Sequence, residues 1–359
     1  MRLSSKTPLS GHGALSNPDS RFLKQTRSAE VLPGEELWED ETSAIKTEVS
    51  YEQAKSIISY NQSPDIPFDR SVNAYRGCQH GCIYCYARPT HEYLGLSAGL
   101  DFETKIVVKE NAAELLRQEL SRPNYRPAPL ALGANTDPYQ PLEQKEQVTR
   151  QILEVLAEFK HPVMITTKGS LIVRDIDLLA SMASKNLVSV MISIATLEPE
   201  IARRMEPKAA APMRRMAIIR QLSEAGIPTG VIVAPIIPAL NDKDIEIILH
   251  FAKESGACMA SYVFLRLPHG VKDLFVEWLD ANYPDRAKHV MSLLRQSRGG
   301  RENVSNFGER MEGEGVFAEM IKQRFRKTCS RLGFQGIPPL DITLFSPPKP
   351  VQRQMDMFV

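Results

Sequence analysis

Three of the chain's five cysteines, Cys78, Cys82 and Cys85, fall together in the run NAYRGCQHGCIYCYARP. Their spacing is C-x3-C-x2-C, punctuated by Gly77 and Gly81. Glycine permits the tight turns that bring three thiolates to one centre. A structural zinc asks for four protein ligands, and here His80, His91 or a distant residue would have to supply the fourth. Three cysteines also suit a four-iron, four-sulfur cluster that leaves one iron open to a ligand from outside the protein. Both readings stand at this point, as do unligated thiols. Cys258 and Cys329 stand alone, and an odd total of five fits a complete disulfide framework poorly.

The elements that must position this loop show in the hydropathy pattern. From about residue 103, short apolar runs alternate with amphipathic segments. The strand-like runs are TKIVVK (104–109), PLALGAN (129–135), PVMITTKG (162–169), LVSVMISIAT (187–196), PTGVIVAPIIP (228–238) and ACMASYVFLRLP (257–268). The helical segments are 110–122, 142–159, LIVRDIDLLASMAS (171–184), 212–226 and DKDIEIILHFAKESG (242–256), the fourth stopped by Gly226. Roughly six β–α units with continuous apolar strands predict a parallel sheet covered by helices. SVNAYRG, just before Cys78, is a short candidate for a first barrel strand. In a βα barrel the strands' C-terminal ends line the active face. Asn135, Thr167, Lys168, Thr196, Asn241 and Arg266 stand at such ends. Asn241 and Asp242 read as a helix N-cap pair.

The 359 residues, 43% apolar and 24% charged, predict about two domains or one α/β barrel. Lys+Arg 44 against Asp+Glu 43 leaves a net charge of +1, so bulk charge offers no argument for nucleic-acid binding. The first 30 residues, without a hydrophobic period, predict disorder. They show no apolar signal segment, and VIVAPIIPAL (231–240) is too short to span a bilayer. A cytoplasmic, monomeric protein with reduced thiols and no membrane contact is expected. The expected organisation is an N-terminal extension over 1–66, partly disordered, a barrel over 67–270, and C-terminal helices with a Pro-rich tail closing it over 271–359.

The CxxxCxYC pattern followed by a βα repeat resembles the radical S-adenosylmethionine superfamily. TDPYQPLE, ATLEPEIARRMEP and APIIPALND resemble the narrower branch related to spore photoproduct lyase, from about Pro67 to Gly333. The resemblance implies an α/β fold, a partial (β/α)6 TIM-like barrel with a C-terminal helical extension. It also implies a [4Fe-4S] cluster on Cys78, Cys82 and Cys85. S-adenosyl-L-methionine would bind the open iron, and its cleavage to a 5′-deoxyadenosyl radical would start hydrogen abstraction from an unidentified substrate. An electron donor such as flavodoxin or ferredoxin is implied as partner.

Residue by residue, the resemblance places Tyr84 near the adenine or the cluster. A Gly-Gly-Glu-like element ends the second strand in many members, but here that position reads Gly133-Ala134-Asn135-Thr136-Asp137 and the glutamate is missing. Asn135, Thr136 and Asp137 are therefore the candidates to accept from the methionine ammonium, with an Asx-type turn as the plainer reading. Lys168 is a candidate partner for the methionine carboxylate or a ribose hydroxyl, Ser193 and Thr196 for the ribose, and Arg266 for a substrate or cofactor carboxylate.

Two further functions stay in view. DNA photoproduct repair would use Arg203, Arg204, Lys208, Arg214, Arg215 and Arg220 as phosphate contacts, against a plain helix-surface role. Spore photoproduct lyase uses a cysteine after the cluster motif as hydrogen donor. This chain has none between Cys85 and Cys258, the latter expected opposite the mouth. Tyr86 and Tyr139 are candidate radical relays. The other reading is a non-enzymatic protein with a structural metal.

Overall fold

The computed structural model describes residues 10–22 and 45–348. Its strands are β1 Glu48–Glu52, β2 Ile58–Tyr60, β3 Arg70–Val72, β4 Tyr75–Arg76 and β5 Lys105–Lys109, then β6 Leu130–Leu132, β7 Val163–Thr167, β8 Val188–Ser193, β9 Thr229–Ile236 and β10 Met259–Phe264. The main sheet runs β10-β9-β8-β7-β6-β3-β2. All its pairings are parallel except β2 with β3. It is an open α/β sheet of six parallel strands, a partial (β/α)6 barrel with one antiparallel strand at its rim. β8 and β9 are rich in β-branched residues and buried along nearly their whole length, as strands covered on both faces must be.

The first barrel strand is β3, in the residues just before the cysteine loop, and 104–109 is not one of the six. β5 pairs instead with β1 and antiparallel with β4 in a separate three-stranded sheet. Its burial alternates, with Ile106 and Val108 inside and Lys105, Val107 and Lys109 half-buried, the pattern of a strand with one wet face. The segment 142–159 is two helices, Glu143–Glu146 and Val148–Glu158, broken where Gln147 takes φ 53°. The helix expected over 171–184 opens with a 3-10 stretch, Ser170–Asp175, before Ile176–Ala183.

The last helices cover the β10 edge. Within Gly315–Leu332, Phe325 lies 4.8 Å from the Tyr262 ring of β10. From the same helix Arg324 donates to Glu246 at 2.7 Å. The Pro-rich tail then crosses under the sheet, at the strands' N-terminal ends. Gly336 N donates to Cys258 O (3.0 Å), Asp341 N to Asn186 O (2.9 Å) and Ser346 N to Phe159 O (3.0 Å). The opposite, C-terminal end of the sheet is left to the cysteine loop.

The disorder expected of the first 30 residues does not hold for 10–22, which pack against the barrel with Ala14 and Leu15 at 0% and 1% exposure. Residues 1–9 and 23–30 lie outside the described ones. Among the described residues no helix is long and apolar enough to cross a membrane.

Candidate functional site

The cysteine loop leaves β4, passes Cys78, Cys82 and Cys85, and enters a 3-10 helix at Arg88. Buried Arg88 pins it: Nη2 donates to Gly81 O (2.8 Å) and Nε to Cys82 O (2.9 Å), while Nη1 donates to Gly99 O (2.8 Å). Its charge is balanced by buried Glu103 at 2.9 Å. Gly81 sits at φ +65°, and a Cβ there would lie 2.4 Å from Glu103 Oε2, so glycine is required on both counts.

All three thiols are unpaired and buried or half-buried. Burial pushes the Cys82 thiol up to about 12; Lys168 opposes this, and Glu206 and Cys85 add to it. Burial also raises Cys78, helped by Asp137 and Cys82. Two buried thiols, Cys78 and Cys82, held up by burial and by neighbouring negative charge, ionise together only against a bound cation. Among the described residues no three His, Cys, Asp or Glu groups converge tightly enough for a single metal ion. A cluster places each thiolate on its own iron. The histidines weighed as a fourth zinc ligand are turned to other partners. His80 Nδ1 faces Asp137 Oδ2 at 3.3 Å, and His91 Nε2 is bonded to Lys105 O at 2.8 Å. The donor set fits a three-cysteine cluster.

The strand ends bring the other candidates around this loop. Asp137 is a staple: its carboxylate accepts from Thr167 Oγ1 (2.6 Å), Lys168 N (2.7 Å) and Tyr139 N (2.9 Å). Burial opposes its ionisation, but His80, Thr167 and the Lys168 amide outweigh it and hold the carboxyl well below its ordinary range. It joins the ends of β6 and β7, the Asx-turn side of the expectation. Asn135 is exposed, its amide held by Asn73 Oδ1 at 3.0 Å, and Thr136 is buried beside it. The Ser193 hydroxyl donates to Ala234 O at 3.3 Å. Thr196 donates to Asp244, and Asn241 Nδ2 bridges Ala195 O (2.7 Å) and Pro235 O (2.9 Å). Neither Asn241 nor Asp242 caps a helix through its side chain; Asn241 ties strand ends together instead.

Sequence reasoning missed Glu206. It is buried, accepts from the Tyr84 hydroxyl and pairs with Arg215, which also donates to Ala210 O (2.6 Å) and Ser193 O (2.8 Å). Arg215 is thus not part of a surface basic stretch, and Arg204 is spent on Glu200 and Asn282 O. An acidic residue inside ARRMEPK was the available signal. Lys168 Nζ lies 5.8 Å from the Tyr84 ring centroid. Burial opposes its charge, but Cys82 and Glu206 more than offset this and raise its pKa. Cys82, Tyr84, Lys168 and Glu206 are one electrostatic unit.

Arg266 stands across the mouth, its guanidinium 4.5 Å from the Tyr86 ring centroid. Burial, helped by Arg310, lowers its pKa, and among the described residues it forms no salt bridge. It lines a cavity of about 270 Å³ with Tyr86, Tyr93, Arg21 and Arg310. Arg21 lies over Phe22 (4.8 Å), Phe22 stacks on Tyr93 (5.1 Å), and Arg310 lies over Phe307 (4.8 Å). Tyr86 also donates to Ala134 O, and Tyr139 is buried beside Asp175. Cys258 bonds to Thr229 O at 3.3 Å, at the strand starts, and Cys329 lies in the last helix.

The profile of the Radical SAM superfamily matches residues 72–252. An uncharacterized protein of Mycobacterium tuberculosis H37Rv is 40% identical over 233 residues, covering 64% of this chain and 68% of the relative. An uncharacterized protein of Methanocaldococcus jannaschii is 28% identical over 240 residues, covering 67% and 85%. Among solved structures, a spore photoproduct lyase mutant with bound AdoMet and dinucleoside spore photoproduct superposes with TM-score 0.54 at 15% identity, covering 79% of each chain. That last likeness is one of fold.

Proposed function

Because the chain belongs to the radical SAM superfamily, enzymes that use a [4Fe-4S] cluster and S-adenosylmethionine, we propose that its sheet mouth is the site of that chemistry, with Cys78, Cys82 and Cys85 as the cluster ligands. When bound, the pair supplies one-electron cleavage of the sulfonium to methionine and a 5′-deoxyadenosyl radical that takes a hydrogen atom from substrate. The observation that carries the reading is the three-thiol loop pinned by Arg88 at the C-terminal ends of the strands.

The chain's own residues divide the work. Lys168, a retained cation beside Cys82 and Tyr84, takes the methionine carboxylate. Tyr84, fixed through Glu206, presents its ring to the cofactor side of the loop. Asn135, Thr136 and the Ser193 strand end frame the remaining polar groups of the cofactor. Asp137 holds the β6 and β7 ends and His80 in register. Buried side chains around Cys78 and Cys82 keep water from the reactive carbon. A flavodoxin- or ferredoxin-type donor supplies the electron, and the working form is a monomer in a reducing cytoplasm.

A second reading, action on nucleic acid, is favoured by Arg266 over the Tyr86 ring at the mouth, since such a pair can stack a base and meet a phosphate, whereas Arg21 and Arg310 are already paired with Glu92 and Asp65. Photoproduct reversal with a cysteine hydrogen donor fits less well, because Cys258 lies at the far end of the sheet. The test is anaerobic turnover with deuterium-labelled cell extract, split into nucleic acid and small-molecule fractions. Deuterium in 5′-deoxyadenosine identifies the fraction holding the substrate. Its absence from every fraction, with 5′-deoxyadenosine still formed, would count against hydrogen abstraction from a cellular substrate.

A further inference from the structure

Residues 12–20 lie across the cysteine loop, and their contacts are of the kind that build a site. Gly13 N and Ala14 N donate to Glu103 Oε2 (3.0 Å) and Oε1 (2.9 Å), and His12 Nδ1 lies 3.4 Å from Oε2. Glu103 is the carboxylate that balances Arg88, whose other donors hold the Gly81 and Cys82 carbonyls. A buried carboxylate stripped of two amide donors loses much of what offsets its desolvation. The segment also meets the loop directly. A Cβ on Gly13 would sit 1.9 Å from Gly81 O and 3.2 Å from Ile83 N. Further along, Asn17 and Asp101 exchange hydrogen bonds at 3.0 Å, Leu100 N donates to Ser16 O (3.2 Å), and Ser20 Oγ donates to Glu92 O (3.2 Å).

We propose that residues 12–20 are a strap that sets the conformation of the cysteine loop, acting through Glu103 and Arg88, so that cluster retention depends on a segment remote in sequence from the cysteines. Within the loop, Gly81 N donates to Cys78 O, Cys85 N to Cys82 O and Arg88 N to Cys85 O, all at 3.2 Å; from outside it, Cys78 N is held by Phe102 O (2.9 Å), Gln79 N by Gln140 Oε1 (2.9 Å) and Ile83 N by Met205 O (3.0 Å). At Gly81 and Cys82 the carbonyls are held by Arg88, which Glu103 and the strap keep in place. His12, Gly13, Ala14 and Asn17 are positioning residues in this scheme, and none is assigned to the cofactor.

Hydrogen exchange on the full-length apoprotein tests this without reference to the cluster. In Gly13→Ala the amides of Gly81, Ile83 and Cys85 should exchange at least tenfold faster, with β8 and β9 as protected as in the parent. Asn17→Ala loosens the strap at a half-buried position and should give a smaller change in the same amides, which keeps the test live if Gly13→Ala does not fold. A second readout rests on the cluster reading: after anaerobic reconstitution, Asn17→Ala should release iron to a chelator at least threefold faster. Parent-like loop exchange in the folded variants would overturn the proposal, as would parent-like iron release. A parent protein that takes up no iron would instead count against the cluster reading and leave the exchange result to judge the strap.

Discussion

Replacing Glu206 with Gln probes the buried unit beneath the mouth. The Glu206 and Arg215 side chains are each 1% exposed. Glutamine keeps the shape and still offers an oxygen to Tyr84, but it leaves the Arg215 guanidinium with only the Ala210 and Ser193 carbonyls, at 2.6 and 2.8 Å. Removing one partner of a buried ion pair costs about 3–5 kcal/mol. The retained hydrogen bonds put this change near the lower figure. For a chain of this size that is a fall of about 4 °C in the unfolding midpoint, followed by far-UV circular dichroism. Adding Arg215→Met should recover at least about 1 kcal/mol, because apolar replacement of a whole buried pair is often neutral or stabilising. A Glu206→Gln protein within about 0.5 kcal/mol of the parent would refute the reasoning, since a stranded buried cation cannot be that cheap.

Lys168→Gln should weaken S-adenosylmethionine binding by about 10- to 150-fold, the size of a lost hydrogen bond to a charged group of about 1.5–3 kcal/mol, with iron content unchanged. Equal affinity by calorimetry would remove Lys168 from the cofactor site. Beneath the sheet, burial lowers the pKa of His161 to about 4. Its Nε2 accepts from Tyr125 OH (2.8 Å), Nδ1 faces Pro162 O, and Phe345 packs at 5.5 Å. The unfolded state binds this proton first, so stability present at pH 7 should fall as pH drops from about 6.5 to about 4, by up to about 3 kcal/mol. Urea midpoints should show the slope, and His161→Phe should flatten it; an unchanged slope in that variant would assign the acid sensitivity elsewhere.

Much of this architecture is legible in the residues themselves. Continuous β-branched runs such as VSVMIS and TGVIVAPI can be covered on both faces only by helices, and so they predicted the sheet. KIVVK misled because its apolar content resembles theirs, although its lysines mark a strand with one wet face. The barrel's true first strand, Arg70–Val72, is three residues long, so the sequence offers SVNAYRG only as a candidate whose ends its short period cannot fix. At the site, the cysteine spacing is local and legible, whereas the partners of Asp137, Glu206 and Glu103 come from distant segments. Arg215 read as surface charge because its helix has other arginines on its exposed side; only packing reveals that this one points at Glu206. The strap over the loop was hidden by composition, since a Ser- and Gly-rich stretch looks disordered until its amides find a buried carboxylate.

The central claim is that Cys78, Cys82 and Cys85 hold a cluster that reduces S-adenosylmethionine. The direct measurement is dithionite-dependent formation of 5′-deoxyadenosine under anaerobic conditions, by the reconstituted parent protein and by Cys82→Ala, with iron and acid-labile sulfide assayed in both. The parent should be brown, contain about four irons and four sulfides per chain, and form 5′-deoxyadenosine; Cys82→Ala should lose both the visible absorbance and the product. A parent with zinc near one per chain and no labile sulfide, or a Cys82→Ala protein that still cleaves S-adenosylmethionine, would contradict it.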